Sequence, residues 1–264
     1  MKDASARARA SAPATVANVG PCFDVLGLCL ESPRDQVTAE RTSSGVVEIV
    51  AISGDGGKLP REAEDNCIGV VARAVLDRYG EPTDGVRLWL DKGLPLGTGM
   101  GSSAASSVAA AMATAAILGA PQDRGGLLDA CREGEALASG SPHPDNVAPS
   151  LLGGIVACIP EGDGTLDVLA LPVPDGLRVV VVRPELRVDT QQARDLLPAA
   201  VPLEDAVAAK KKTHDFLLQI LEWALDDKIG TLETSGRLML VFEDADSLDS
   251  ASFDKTLAIV EPGS

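Results

Sequence analysis

The string Pro95-Leu96-Gly97-Thr98-Gly99-Met100-Gly101-Ser102-Ser103-Ala104-Ala105 combines the residue types that hold a polyphosphate. Glycines at alternate positions leave backbone N–H groups uncovered, and a run of small, helix-compatible residues follows. A glycine loop that opens a helix aims the free N–H groups of the first turn, and the positive end of the helix dipole, at whatever fills it. A serine hydroxyl there can donate to phosphate or ligate Mg²⁺. The spacing is not GxxxxGK[ST], because no lysine follows the glycines, and it is not GxGxxG. A Gly/Ser turn ahead of a buried Ala-rich helix would share the glycines. The ordered string P-x-x-x-G-x-G-S-S-A-A is much rarer and favours a nucleotide triphosphate.

Two further segments carry candidate chemistry. Asn18 and Asp24 sit in a Gly/Pro-rich stretch between apolar runs, where an amide and a carboxylate could meet a small polar ligand. Turn formation alone also selects Asn and Asp. Glu135 stands near an expected helix C-terminus, where the dipole disfavours a carboxylate unless it faces a cation. His143, Asp145 and Asn146 follow beside prolines. One carboxylate, one hydroxyl and phosphate oxygens would suit Mg²⁺. A lone His is more often structural than catalytic, but four polar residues clustered this way point to a site.

Elements must position these groups. Strands are expected over 7–12, 36–39, 46–52, 86–90, 155–159 and 177–183. Helices are expected over 65–79, 103–118, 123–138, 190–196 and 203–224, from apolar spacing and Gly/Pro stops. Strands and helices mix without regular βαβ alternation, which predicts a two-layer α+β fold rather than a doubly wound sheet. A composition shift near 151–154 suggests a domain boundary, giving an N-terminal domain over 1–150 and a C-terminal domain over 151–264.

Composition bounds the partners. The 264 residues are 45% apolar and only 3% aromatic, so Leu, Val and Ala must build the core. A formal charge of −16 disfavours non-specific contact with nucleic acid or anionic membranes. The five cysteines form no CxxC and the histidines number two, which argues against zinc and for a reducing compartment. No apolar stretch reaches the roughly 18 residues of a membrane span. A cytoplasmic location is expected.

The three motif segments together resemble the GHMP kinase superfamily, and within it the homoserine kinase family. The glycine loop matches the superfamily's phosphate motif at every fixed position. APATVANVGPCFDVLGL resembles the family's first motif, with Cys22 where a glycine is usual, and SGSPHPDNVAPSLLGG its third characteristic stretch. A looser match runs over 188–198. The resemblance implies a ribosomal-protein-S5-like N-terminal domain and a ferredoxin-like C-terminal domain, here shortened. It implies ATP-dependent phosphorylation of the homoserine hydroxyl in threonine biosynthesis, with Mg²⁺, and a homodimer. Pro95 to Ser103 would wrap the ATP phosphates, with Asn66 contacting the nucleotide. Ser103 and Glu135 would hold the metal. Asn18, Asp24, His143, Asp145, Thr190 and Arg194 would line the homoserine pocket. Asn146 falls where several relatives carry a catalytic Asp. An amide is no base, so catalysis is expected to rest on positioning and charge stabilisation. The family's C-terminal glycine-rich motif and an arginine of its C-terminal half are not found. After about residue 227 the chain is expected to be truncated or divergent. That departure keeps open a catalytically impaired nucleotide-binding homologue, and a kinase of another small alcohol is the other alternative.

Overall fold

A computed structural model describes residues 6–121, 123–160, 165–173, 177–182, 198, 200–225 and 238–242. The N-terminal strands are longer than expected. β1 (Arg7–Val16) runs through the Ala/Pro stretch, and β2 (Leu26–Thr42) is one 17-residue strand. Ser32, Pro33 and Arg34 hide its continuity in the sequence, because they interrupt the apolar alternation. β3 (Val47–Ser53) and β4 (Gly85–Asp91) follow, joined by helix α1 (Cys67–Tyr79). They pair in parallel, as a strand–helix–strand crossover permits. The other strand pairs of this sheet are antiparallel.

The six-stranded sheet has the order β3-β4-β2-β5-β6, with β1 also on β2. β5 (Ile155–Pro160) pairs with β2 through Leu26–Ala157 and Leu28–Ile155, and β6 (Leu166–Leu171) pairs with β5. The sheet therefore continues past the composition change at 151–154. β6 was not anticipated, because its alternation is short and its residues are largely exposed.

Helix α2 (Ser102–Leu118) lies between the sheet and α1 and α3 (Arg124–Ser139). It is apolar on every side, as a helix surrounded by protein must be. Its alanines allow the close approach on both faces, and nearly all are fully buried. α4 (Pro144–Leu152) then leads into β5. Beyond it the described residues hold α5 (Leu203–Leu225) and a parallel pair, β7 (Arg178–Val182) with β8 (Leu238–Phe242). Two apolar clusters result. The larger joins sheet to helices α1 to α4. The smaller gathers Val16, Val19, Cys22, Leu26 and Ile155 against Val179, Phe216 and Leu217. The expected helix over 190–196 lies outside the described residues.

Candidate active site

The glycine loop joins β4 to α2. Gly97, Gly99 and Gly101 have φ of 64°, 68° and 63°, left-handed values that glycine adopts without a Cβ penalty. Gly101 is closely confined: a Cβ there would stand 2.0 Å from Thr15 Oγ1 and 2.9 Å from Asn146 Oδ1. Among the described residues no protein group accepts from the backbone amides of 97–104. The ladder of α2 starts with the Ala105 amide donating to Gly101 O at 2.9 Å. These N–H groups stand at the positive end of a 17-residue helix, an arrangement suited to an anion.

The loop is held from beneath. Lys92, at the end of β4, is buried and pairs with buried Asp35 of β2. Its ammonium also donates to Ser102 O (3.0 Å), Ser102 Oγ (2.6 Å) and Ser106 Oγ (3.0 Å). Asp35 completes its own set with the amides of Gly93 (3.0 Å) and Leu94 (2.9 Å) and the Ser106 hydroxyl (2.7 Å). Because Lys92 fills an acceptor position on Ser102 Oγ, the Ser102 hydroxyl proton is left to donate elsewhere. This cluster is not legible in the local sequence. Its trace is a lysine five residues before Gly97 and an aspartate distant in the chain.

Ser103 and Glu135 meet as expected: the Ser103 hydroxyl donates to Glu135 Oε2 at 2.9 Å. Glu135 sits in the last turn of α3 and is buried. Burial pushes its carboxyl above the usual glutamate range, with the Ser103 hydrogen bond opposing. A carboxylate so placed gains from a cation beside it. Asn66 lies next to this pair in the chain fold, since Cys67 Sγ reaches Ser103 O at 3.9 Å. Both ends of the Asn66 amide are engaged. Its oxygen caps α1 by accepting from Ile68 N at 3.2 Å, and its nitrogen donates to Pro60 O at 2.7 Å.

His143, Asp145 and Asn146 stand at the start of a helix. His143 is the N-cap of α4, Pro144 its first residue, and Asp145 and Asn146 follow in its first turn. Pro144 fits the helix because the first turn needs no intrahelical N–H, whereas Pro149 lies inside it. Pro149 donates no hydrogen bond to Asp145 O, the carbonyl four residues before it. Gly27 of β2 packs so closely there that a Cβ would come within 1.8 Å of that oxygen.

This first turn connects two loops. Towards the phosphate side, Asn146 Oδ1 accepts from Thr15 Oγ1 at 2.8 Å, and the Thr15 amide donates to Met100 O at 3.1 Å. Thr15, fully buried at the end of β1, was not singled out from the sequence, although it stands in the first motif. On the other side, His143 Nδ1 lies 3.7 Å from Asp24 Oδ2. The loop bearing Asp24 closes on itself, with the Asp24 amide donating to Asn18 Oδ1 at 2.8 Å. Asn18 and Asp24 both adopt left-handed φ, 55° and 56°, which Asn and Asp tolerate better than most residues. Thr190 and Arg194 lie outside the described residues.

Residues 66–154 match the model of the GHMP kinases N terminal domain. The chain is 41% identical over 231 residues to the homoserine kinase of Pyrococcus abyssi, covering 88% of this chain and 72% of that protein. It belongs to the homoserine kinase family. A homoserine kinase of Xanthomonas campestris is 42% identical over 201 residues, 76% of this chain and 61% of that protein. The crystal structure of a family member from Cytophaga hutchinsonii superposes with a TM-score of 0.74 at 39% identity, over 81% of this chain and 67% of that one. The fold is that of the GHMP kinases. Mevalonate kinase from L. major shares it at a TM-score of 0.60 and 12% identity.

Proposed function

We propose that the chain transfers the γ-phosphoryl group of ATP to the hydroxyl of homoserine, giving O-phosphohomoserine and ADP. The observation that carries this is the first turn of α4. It touches the phosphate loop through Asn146 and Thr15 and the Asn18–Asp24 loop through His143, so one short element sets donor and acceptor against each other. Relatives named homoserine kinase, matched over most of this chain, support the choice of acceptor.

In this mechanism the amides of 97–104 and the hydroxyl of Ser102 bind the phosphate oxygens. Asp24 and Asp145 serve the ammonium of homoserine, and Thr190 and Arg194 its hydroxyl and carboxylate end. Asn146 orients the acceptor hydroxyl. Its Oδ1 already accepts from Thr15, and a neutral amide takes no proton. A bond forms from the homoserine hydroxyl oxygen to the γ-phosphorus, and the bond from that phosphorus to the β–γ bridging oxygen breaks. The hydroxyl proton passes to an oxygen of the transferred phosphoryl group and from there to water, with no part for Asn146 as a base. Catalysis rests on alignment and on charge stabilisation by the preorganised amides.

Mg²⁺ fits the residues present. Glu135 Oε2 and Ser103 Oγ are hard oxygen donors already in contact, and burial of the carboxylate favours a cation beside it. Among the described residues no three His, Cys, Asp or Glu cluster as a full metal cage. That suits an ion that takes one or two protein ligands and completes its shell with phosphate and water. Bound there, Mg²⁺ would neutralise charge on the phosphate oxygens.

A cytoplasmic, homodimeric enzyme is part of the proposal, and sedimentation velocity tests the dimer. Among the described residues no helix is long and apolar enough to cross a membrane. The activity is tested with purified protein, Mg-ATP and a panel of homoserine, mevalonate and galactose, following ADP and the mass of the product. Phosphorylated homoserine alone is expected. Turnover of another alcohol would transfer the chain to a different acceptor, and nucleotide binding without turnover would mark it as an impaired homologue.

A further inference from the structure

We propose that helix α5 is a positioning strut for the acceptor loop, acting through Phe216 and Thr213. This rests on the assignment of residues 18–24 to homoserine. Thr213, Phe216 and Leu217 form the half-buried stripe of an otherwise exposed helical segment. The spacing i, i+3, i+4 puts them on one face. That face meets the acceptor loop. The Thr213 hydroxyl donates to Pro21 O at 2.8 Å and stands 3.1 Å from Ala209 O of its own helix. The tip of the Phe216 ring abuts Gly20: a Cβ at Gly20 would lie 3.0 to 3.3 Å from three ring atoms.

The loop needs such support. Gly20 has φ 60°, and Asn18 and Asp24 are non-glycine residues in the left-handed region, at 55° and 56°. Each strained residue persists only where its surroundings over-determine it. Within the loop, Val19, Cys22 and Leu26 exchange backbone hydrogen bonds of 3.1 to 3.4 Å, two of them long. Val19 and Cys22 anchor it from below in the smaller apolar cluster, to which Phe216 and Leu217 add their weight. Asn18 is exposed and Asp24 half-buried, so the two polar groups have little packing of their own. The phosphate loop has no such contact with α5 among the described residues. Disturbing α5 should therefore reach the acceptor and spare the nucleotide.

Two readouts test this on the full chain. Phe216→Ala is expected to raise KM for homoserine about tenfold and leave KM for ATP within about twofold, because a small misplacement of a positioning group is felt at the bound reactant. Phe216→Leu should restore most of the loss, and Thr213→Val should shift KM for homoserine in the same direction by less. Hydrogen exchange should quicken at the amides of 18–26 in Phe216→Ala and stay unchanged at 97–103. If Phe216→Ala does not fold, Thr213→Val carries both measurements. Equal rises in the two KM values, or unchanged exchange over 18–26, would overturn the proposal. A wild-type chain without homoserine-dependent ADP release would instead overturn the acceptor assignment, and the exchange result would still decide the role of α5.

Discussion

Gly97 and Gly101 share a backbone conformation but not a steric environment, and the contrast separates strain from clash. Both have φ above 60°. A Cβ at Gly97 meets nothing within 4 Å, whereas one at Gly101 runs into Thr15 and Asn146. Gly97→Ala should cost about 1–2 kcal/mol, the price of a left-handed residue with a side chain. Gly101→Ala should cost more and should also displace Thr15 from Asn146. Urea unfolding reads the first difference. Loss of nucleotide binding in Gly101→Ala, with binding retained in Gly97→Ala, reads the second. At the neighbouring carboxylate, Glu135→Gln keeps the size of the side chain and removes only its charge. Turnover with Mg-ATP should fall by about a hundredfold or more. The melting temperature of the free protein should stay equal or rise, because burial already penalises the ionised form. Unchanged turnover would take Glu135 out of the metal site.

At the scale of elements, the start of α2 is fixed by an ion pair that lies wholly inside the protein. Lys92→Met leaves Asp35 buried with no cation and should cost about 3–5 kcal/mol. The double variant with Asp35→Asn removes both charges and should recover most of that, which denaturant titration would show. Helix α3 starts at Asp123, whose carboxylate accepts from Gly126 N at 3.1 Å and from the Tyr79 hydroxyl at 2.8 Å. The Gly126 amide, then the Tyr79 hydroxyl, hold its carboxyl below the usual value of 3.8. A lowered value in the folded state means stability present above pH 3.8 and lost as the pH falls further. The melting temperatures of wild type and Asp123→Ala should therefore differ at pH 7 and converge as the pH is taken below 3.8. Legibility also divides along elements. α1, α2 and α3 were plain from apolar spacing and their glycine or proline stops. α4 was hidden by its prolines, although Pro at the first position with Asp in the first turn is itself a start signal. β2 was hidden because a long strand that serves several partners need not alternate throughout.

At the scale of the whole molecule, residues far apart in the chain converge around the start of α4 and the 18–24 loop. Thr15 and Asn146 are 131 positions apart, and Thr213 and Pro21 are 192 apart. Motif types and local spacing announced the glycine loop ahead of α2 and put Asn18 and Asp24 in one turn-rich loop, whereas setting Ser103 beside Glu135 took the family resemblance. Thr15 as the partner of Asn146, Lys92 with Asp35, and the reach of α5 to the acceptor loop depend on tertiary approach, which no local pattern encodes. The measurement that bears most directly on the site is backbone amide NMR of the loop under titration with Mg-ATP and, separately, with adenosine. The expected result is large shifts of the Gly97, Gly99 and Gly101 amides with the triphosphate and small ones with the nucleoside. Loop amides that stay in place while the nucleotide saturates elsewhere would contradict phosphate capture by this loop, and with it the kinase function.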